Sequence, residues 1–457
     1  MRPNSRAITA LCLGGALVFG ACNFDITNPN APTEIGDNAT PAHVAAAMEG
    51  LLIGARADVP NWILKSAILG REGYRIDAAD PRFVSELITA TTLDPSNGAF
   101  GGGQWQLEYA MIRSGYNVLN VIGTAQITDP EKEGVRGFTQ TIQAYAYMMV
   151  LVAHTEDSIP IDVNRPLSDP PAPFVTNIVA WDHVVSLLDS AKTHLLAAGG
   201  SFSFTLPPGF TGFTTPAGFL KVNRALLARA DLYRASEFTC ATCYDDALTA
   251  LGESFVDTTA SLDLGAYFDF SANSGDVTNG LAQQPTSAIN LVHPSLKDSL
   301  VVNGGSDARF TAKVADRGDT LRDPLAPNGH FSALSWIRYP TPSSPIPMIR
   351  NEELILIRAE ANNNKTARDA AAAAADINFI RVNSGGLTAN GGLGAATQQA
   401  VEDEILIQRK YSLLYEGMRW VDMRRTNRLA QIILDVPATD HVFSTMPVNS
   451  FEVDARR

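Results

Sequence analysis

Paired carboxylates, a close cysteine pair and dispersed imidazoles are the side chains of this sequence that could do chemistry, and their spacing limits what they can do. Asp245-Asp246 and Glu352-Glu353 are adjacent in sequence. Neighbours on a helix point about 100° apart, so adjacency does not build the facing acid and base of glycoside hydrolysis. These pairs read as solvated helix faces or as acids at helix N-termini. The seven histidines are scattered. No GxSxG, HExxH, P-loop or EF-hand pattern occurs. NGGLGAA at 390–396 lacks the third glycine of a dinucleotide loop and follows no strand pattern. No cofactor and no metal site is therefore expected. A glycosidase needs no local signature for its two carboxylates, so a surface glycoside hydrolase stays as an alternative.

Cys240 and Cys243 stand in FTCATCYDDAL. A zinc site would need two further ligands, and no second CxxC or HxxxH occurs. No strand-helix-strand pattern flanks the pair, which argues against a thioredoxin-like redox centre. A local disulfide and two free thiols remain, and outside the cytoplasm the disulfide is favoured, as a staple in a turn between helices. Cys22 is of another kind. Arg2 and Arg6 precede an uncharged run from Ala7 to Phe19, and Gly20 and Ala21 lead into the cysteine. The run is too short to span a bilayer and suits a signal-peptide core. A small-small-Cys ending is the pattern of a bacterial lipoprotein signal, with residues 1–21 removed and Cys22 lipidated. Leucine is usual where Phe19 stands. Cys12 leaves with the signal, and residues 22–40, polar and carrying Pro29 and Pro32, read as the tether.

The elements that must position any site are helical. Trp181, Val184, Val185, Leu188 and Leu195 lie on one face of an amphipathic helix, as do Phe138, Ile142, Tyr145, Met149 and Val152. Ile407, Tyr411, Leu414, Tyr415 and Met418 make a third stripe. Further helices are predicted near 41–57, 105–123, 218–235, 244–253, 351–363 and 367–383. Ala225, Ala228 and Ala230 among leucines would let a partner helix approach closely, which suits helical hairpins of the tetratricopeptide type, although no strict repeat period holds. Segments 74–104, 200–217 and 256–347 are rich in Gly, Pro, Ser, Thr and Asn and read as long functional loops on one side of that scaffold.

Composition sets outer bounds. The formal net charge is −13. Loss of Arg2 and Arg6 takes the 35 basic residues to 33 against 48 acidic, a net of −15. That argues against nucleic acid or an anionic membrane surface as the main ligand. Beyond the N-terminal run no stretch is apolar enough to span a bilayer, so membrane contact is expected through the lipid anchor only.

The C-terminal third carries a resemblance. IPMIRNEELILIRAEANNN (346–364), DINFIRVNSGGL (376–387), EILIQRKYSLLYEGMRWVDMRRTNRL (404–429) and VFSTMPVNSFEVDAR (442–456) resemble the SusD/RagB family of outer-membrane nutrient-binding lipoproteins. ITNPN after Cys22, WQLEYAMIRSGYNVLNVI (105–122), RGFTQTIQAYAYMMVLVAHTEDSIPI (136–161), HPSLKDSL (293–300) and SDARF (306–310) follow in the family's order. The resemblance implies a mainly α fold, a tetratricopeptide-like scaffold with a loop-rich, irregular ligand side. Residues 41–457 would form one SusD-like domain, with the scaffold at about 41–255 and 348–430 and the ligand-side insert at about 256–347. It also implies a role without catalysis: a cell-surface, outer-membrane lipoprotein that captures an oligosaccharide or similar nutrient for a SusC-like TonB-dependent β-barrel. A helical-repeat scaffold that binds only proteins is the remaining alternative. Glu416 to Trp420, Asp422, Arg424 and Arg425 look functional, but an Arg-rich helix end beside acids reads as ion pairs closing the fold.

A sugar site needs flat apolar faces and planar polar groups in a concave setting. Segment 71–105 offers Arg71, Tyr74, Asp77, Asn97, Gln104 and Trp105, and a second loop offers Trp336, Arg338 and Tyr339. These nine are the ligand residues expected from sequence. Net charge mildly disfavours acidic polysaccharides.

Overall fold

The computed structural model describes residues 35–457 apart from 167, 239, 274–275 and 303–304. The signal peptide, Cys12, Cys22 and the tether through residue 34 lie outside the described residues. In chain order the elements are helices α1 (Pro41–Arg56) and α2 (Val59–Leu69), strand β1 (Gly73–Arg75), α3 (Arg82–Leu87), α4 (Gln106–Val121), α5 (Asp129–Ala153), strands β2 (Ile159–Pro160) and β3 (Phe174–Val175), α6 (Asn177–Ala197), α7 (Pro216–Glu237) and α8 (Cys243–Gly252). Then follow β4 (Gly265–Phe268), β5 (Asn290–Val292), α9 (Ser295–Val302), α10 (Ala308–Lys313), β6 (Val314–Arg322), β7 (Phe331–Trp336), β8 (Ile346–Arg350), α11 (Asn351–Asn364), α12 (Ala370–Asn383), α13 (Gln398–Ser412), α14 (Arg419–Arg425) and α15 (Ser450–Asp454). The fold is mainly α.

Local chemistry sets the helix starts. Thr40 caps α1 by accepting from His43 N–H, with Pro41 in the first turn. Thr128 and Glu131 form a capping box at the start of α5. Successive helices then pack side by side, α4 on α5, α5 on α6, α6 on α7 and α7 on α8, and α11 joins α7, α8, α12 and α13. The approach of α5 to α6 requires Gly137, where a Cβ would stand 2.6 Å from Leu195 Cγ and 2.9 Å from the Ala191 carbonyl. Trp181, Val184, Leu188 and Leu195 of the predicted stripe are buried, as are Phe138, Ile142 and Tyr145 opposite them. Each such side chain contributes roughly 1.5–3 kcal/mol. Cys240 and Cys243 are disulfide-bonded across a Cα–Cα distance of 5.6 Å, in the turn between α7 and α8.

One sequence expectation needs correction and another gains detail. Helix α13 ends at Ser412, so Leu414, Tyr415 and Met418 are not on its face. Tyr415 (φ +57°) and Gly417 (φ +80°) turn the chain instead, and a Cβ at 417 would stand 2.5 Å from Trp62 Nε1. Segment 256–347 is loop-rich as expected, but ordered elements run through it. It supplies β5, β6 and β7, which with β1 form an antiparallel sheet in the order β1-β5-β7-β6, registered by Tyr74 opposite Leu291 and Ala315 opposite Ser335. A bulge interrupts β6 between Asp316 and Leu321.

The C-terminal motif is a buried ion-pair network. Arg350 donates to both oxygens of Glu416 at 3.0 and 2.9 Å and also reaches Glu352. Arg409 and Arg425 share Asp422 at 2.7 to 3.0 Å, Arg425 reaches Glu360, and Arg424 reaches Glu237. Glu352 and Glu353 stand in the first turn of α11, but they are buried rather than solvated. Glu353 takes a bidentate fork from Arg229 at 2.7 and 2.6 Å. Asp245 and Asp246 are the solvated pair, exposed in the first turn of α8.

Candidate functional site

Beyond β1 the chain runs outward through a turn in which Ala79 N–H donates to Asp77, into the short helix α3. Two guanidinium groups lie on aromatic faces there. Arg75 stands 4.5 Å from the Phe83 ring centroid and Arg82 stands 5.4 Å from that of Phe100. The two rings meet edge to face at 5.3 Å. Each arginine also has an in-plane carboxylate: Asp77 at 3.3 Å from Arg75, and Asp80 bidentate on Arg82 at 2.7 and 2.8 Å. The Arg82 side chain is 55% exposed. The face thus presents forked donors and carboxylate acceptors whose planes are fixed by these pairings, groups able to bond hydroxyls. The following turn, residues 94–98, adds Ser96 and Asn97. The Asn97 Oδ1 accepts from Ala99 N–H at 2.9 Å, and among the described residues no acceptor takes its amide N–H₂. Helix α15 borders this turn, fastened by Ser450 N–H to the Pro95 carbonyl and by Asn449 Nδ2 to the Gly102 carbonyl. Its Phe451 is 58% exposed.

This face is held by residues 435–446. Asp435 Oδ2 accepts from Tyr74 Oη at 2.5 Å and His293 Nε2 at 3.1 Å. Burial pushes the Asp435 carboxyl up, but the bonds from His293 and Tyr74 and the nearby Arg71 more than offset it, and it titrates below its ordinary range. Asp440 binds His330 Nε2 at 2.9 Å through one oxygen and the N–H groups of Asp435 and Val436 through the other. Arg71 donates to the His441 carbonyl, and His441 N–H donates to that of Ile88. His154 stands between the carbonyls of Met446 and Gly103 at 2.9 and 3.2 Å. His330, Asp435 and Asp440 place ligand atoms within 4.8 Å of one another, a spacing a cation would accept. Asp435 Oδ2 and both oxygens of Asp440 are engaged by Tyr74, His293, His330 and backbone N–H groups as a hydrogen-bonded seam, while His330 Nδ1 is buried without a hydrogen-bond partner, 3.6 Å from Asp323. Asp440→Ala is expected to cost about 2–4 kcal/mol, because it strands a buried imidazole and two backbone donors. Urea unfolding checks this, and an unchanged midpoint would remove the seam's structural role.

Of the nine ligand residues expected from sequence, six are core. Arg71, Tyr74, Gln104, Trp105, Trp336 and Tyr339 are each at most 4% exposed. Trp105 packs on Tyr109 and His154, Trp336 meets Tyr415 edge to face at 3.8 Å, and Tyr339 Oη donates to the Tyr415 carbonyl. The physical reason is area, since large rings release the most free energy by leaving water. All five tryptophans are buried. Among the described residues the exposed aromatic rings are Phe331 and Phe451. Asp77 and Asn97 are half-buried on the outer face. Arg338 is half-buried too, but lines a different cleft of about 420 Å³ with Asp263, Lys313 and Ser384. The sheet does bring the two predicted segments into one layer, since β1 and β7 both flank β5.

Residues 335–439 match the SusD family, a span from the end of β7 into the seam. The fold is shared with a SusD superfamily protein from Bacteroides vulgatus at 16% identity and a TM-score of 0.65, over 91% of this chain and 97% of that one. Over residues 335–439 the chain carries the sequence pattern of the SusD family. Two further solved structures share the fold. A laminarin-binding SusD-like protein matches at 15% identity and a TM-score of 0.63, over 91% of this chain and 98% of that one. Surface glycan-binding protein A from Bacteroides uniformis matches at 14% identity and a TM-score of 0.66, over 91% and 97%. No curated protein matches the chain by sequence.

On the candidate face, Arg75, Arg82 and Phe451 are groups that the sequence reading did not single out. A signal for Phe451 was present. NSFEVD places an asparagine cap before a phenylalanine whose i+3 neighbour is Asp454, so the ring has no apolar partner on its own helix face. For Arg75 and Arg82 the alternation with Asp77 and Asp80 was legible, but the rings beneath them were not.

Proposed function

We propose that this protein is a non-catalytic lipoprotein, anchored through acyl chains on Cys22 at the outer membrane and facing the cell exterior. It captures a neutral oligosaccharide on the face built from residues 75–100 and Phe451 and passes it to a SusC-like TonB-dependent β-barrel. The observation that carries the reading is the shared fold over nearly the whole of a laminarin-binding SusD-like protein, together with an exposed array of planar polar groups. A formal charge of −13 favours a neutral ligand over an acidic one. Calorimetric titration with laminarin and a panel of neutral glycans tests it. Saturable binding that is insensitive to salt is expected for at least one glycan. Phe451→Ala and Arg82→Ala should each weaken it about tenfold, or ~1.4 kcal/mol, through loss of a stacking face or a forked donor. A panel with no binder, or a binder indifferent to both substitutions, would remove this face as the site. Copurification of the membrane-extracted protein with a large β-barrel tests the partner, and release of Cys22→Ser from membranes tests the anchor.

A further inference from the structure

The connection between β6 and β7 brings Asp323 and His330 together, with the Asp323 N–H donating to the His330 carbonyl at 2.9 Å. The His330 side chain is fully buried, and its ring stands between two carboxylates. Asp440 Oδ1 lies 2.9 Å from Nε2. Asp323 Oδ2 lies 3.6 Å from Nδ1, which has no hydrogen-bond partner. One neutral imidazole cannot serve both. With its proton on Nε2, the Nδ1 lone pair faces the Asp323 carboxylate away from water. With its proton on Nδ1, the Nε2 lone pair faces Asp440 Oδ1, and a positive charge between them is what makes that contact favourable.

The surroundings of Nε2 suit a cation. Asp435 Oδ1 has no hydrogen-bond partner among the described residues, since Tyr74 and His293 both end on Oδ2. Donor atoms of His330, Asp435 and Asp440 lie within 4.8 Å of one another. A zinc ion with bonds of about 2.0–2.2 Å spans separations up to about 4 Å, so a small contraction closes the set. The Asp435 side chain is 20% exposed, which gives the ion a route in and water a ligand position. His293 stays outside the set, because the Ser295 N–H aimed at its Nδ1 keeps its proton on Nε2, where Asp435 accepts it. Charge acts in the same direction. Asp323, Asp435 and Asp440 are three carboxylates, and the guanidinium that acts on the last two is Arg71, which donates to the carbonyls of Ile68 and His441.

We infer that His330 Nε2, Asp435 Oδ1 and Asp440 Oδ1 bind a zinc ion, with Asp323 behind the imidazole. Binding moves the single imidazole proton from Nε2 to Nδ1, toward Asp323. A carboxylate in that place fixes the tautomer of a ligating histidine and raises its basicity. One imidazole and two carboxylates suit zinc better than magnesium or calcium, which take oxygen donors. The ion fastens the turn at 435–440 to the β6–β7 connection, whatever ligand the outer face takes.

The test is calorimetric titration of the full mature chain, stripped of metal by a chelator and dialysed, with zinc chloride and with magnesium chloride. One zinc per chain should bind at this site, and magnesium at least roughly tenfold more weakly. Asp323→Asn should weaken zinc by about tenfold to a hundredfold and shift the visible absorption of cobalt bound in its place, as expected of a positioning residue. Asp435→Asn keeps an amide oxygen for Tyr74 and His293 but loses the anionic donor, and should weaken zinc further still. His194→Gln, which removes the separate His194–Glu133 pair, should leave this affinity unchanged. Zinc should raise the urea midpoint of the parent and not that of Asp435→Asn. No saturable zinc binding, zinc bound no more tightly than magnesium, or a zinc affinity that Asp435→Asn leaves intact would each overturn the inference. Circular dichroism confirms that each variant folds. Should Asp435→Asn not fold, His330→Gln decides, since its amide N–H can still reach Asp440.

Discussion

Glu416→Ala is expected to destabilise the protein by about 3–5 kcal/mol, the range for leaving one member of a buried ion pair uncompensated. Arg350 is the group left behind. It is buried, and its Nε and Nη2 donors both end on Glu416. Burial alone pushes the Glu416 carboxyl up. Arg350, then Arg338 and Lys313, more than offset this, and the group titrates below its ordinary range. Glu352 behaves in the same way and is held at about 2, burial being outweighed by Arg350 and Lys313. For both acids the folded pKa is depressed, so their stabilisation is present above about pH 4.5 and fades as pH falls toward 2. Urea midpoints at pH 7 measure the first effect, and an acid titration of stability measures the second. The double variant Glu416→Ala/Arg350→Met should lose less than the sum of the single losses, because the stranded charge is removed with its partner. Additive losses would mean that the two residues do not act as a pair.

The second large effect has the opposite pH sign. Burial raises Glu72 from 4.5 to about 8 and, together with Asp58, raises Glu108 to about 8. Between pH 4.5 and 8 the unfolded chain has lost these protons while the folded chain keeps them. Stability from these groups is therefore greatest below pH 4.5 and declines as pH rises through 8, by about 1.4 kcal/mol per pH unit for each acid. Glu72→Gln removes one of them from the balance. Its advantage over the parent should grow by about 3–4 kcal/mol between pH 5 and pH 8. Parallel stability curves for the two proteins across that range would show that Glu72 ionises normally.

The helices were legible because their information is local. Apolar residues three and four apart gave α5 and α6, and the alanine-leucine mixture gave α7. The stripe through 407–418 failed at the point where locality fails. Its spacing continues past Ser412, but the backbone turns through positive φ at Tyr415 and Gly417 so that Trp62 can pack beneath it. The sheet was illegible for a related reason. β1 and β5 are three residues each, and Gly73 pairs with Val292, so no window of sequence contains both partners. Within the proposed site, the sequence reading pointed to side chains that the structure buries. Trp105 and Trp336 have the right chemistry for stacking on a sugar and the greater gain from leaving water. The histidines read as scattered because the groups that gather His293 and His330 are Asp435 and Asp440, more than one hundred residues downstream.

The seam has a consequence for the order in which the molecule is made. Helices α4 to α7 contact one another along a contiguous stretch of chain, each packed on the next. The proposed binding surface cannot be completed in that way. Gly102 waits for Asn449, Pro95 for Ser450, Ala153 for Met446 and Tyr74 for Asp435. Loop closures of this length come late in folding. The surface is thus finished only after residues 435–450 have docked, and the folding chain holds a scaffold before it holds the proposed site.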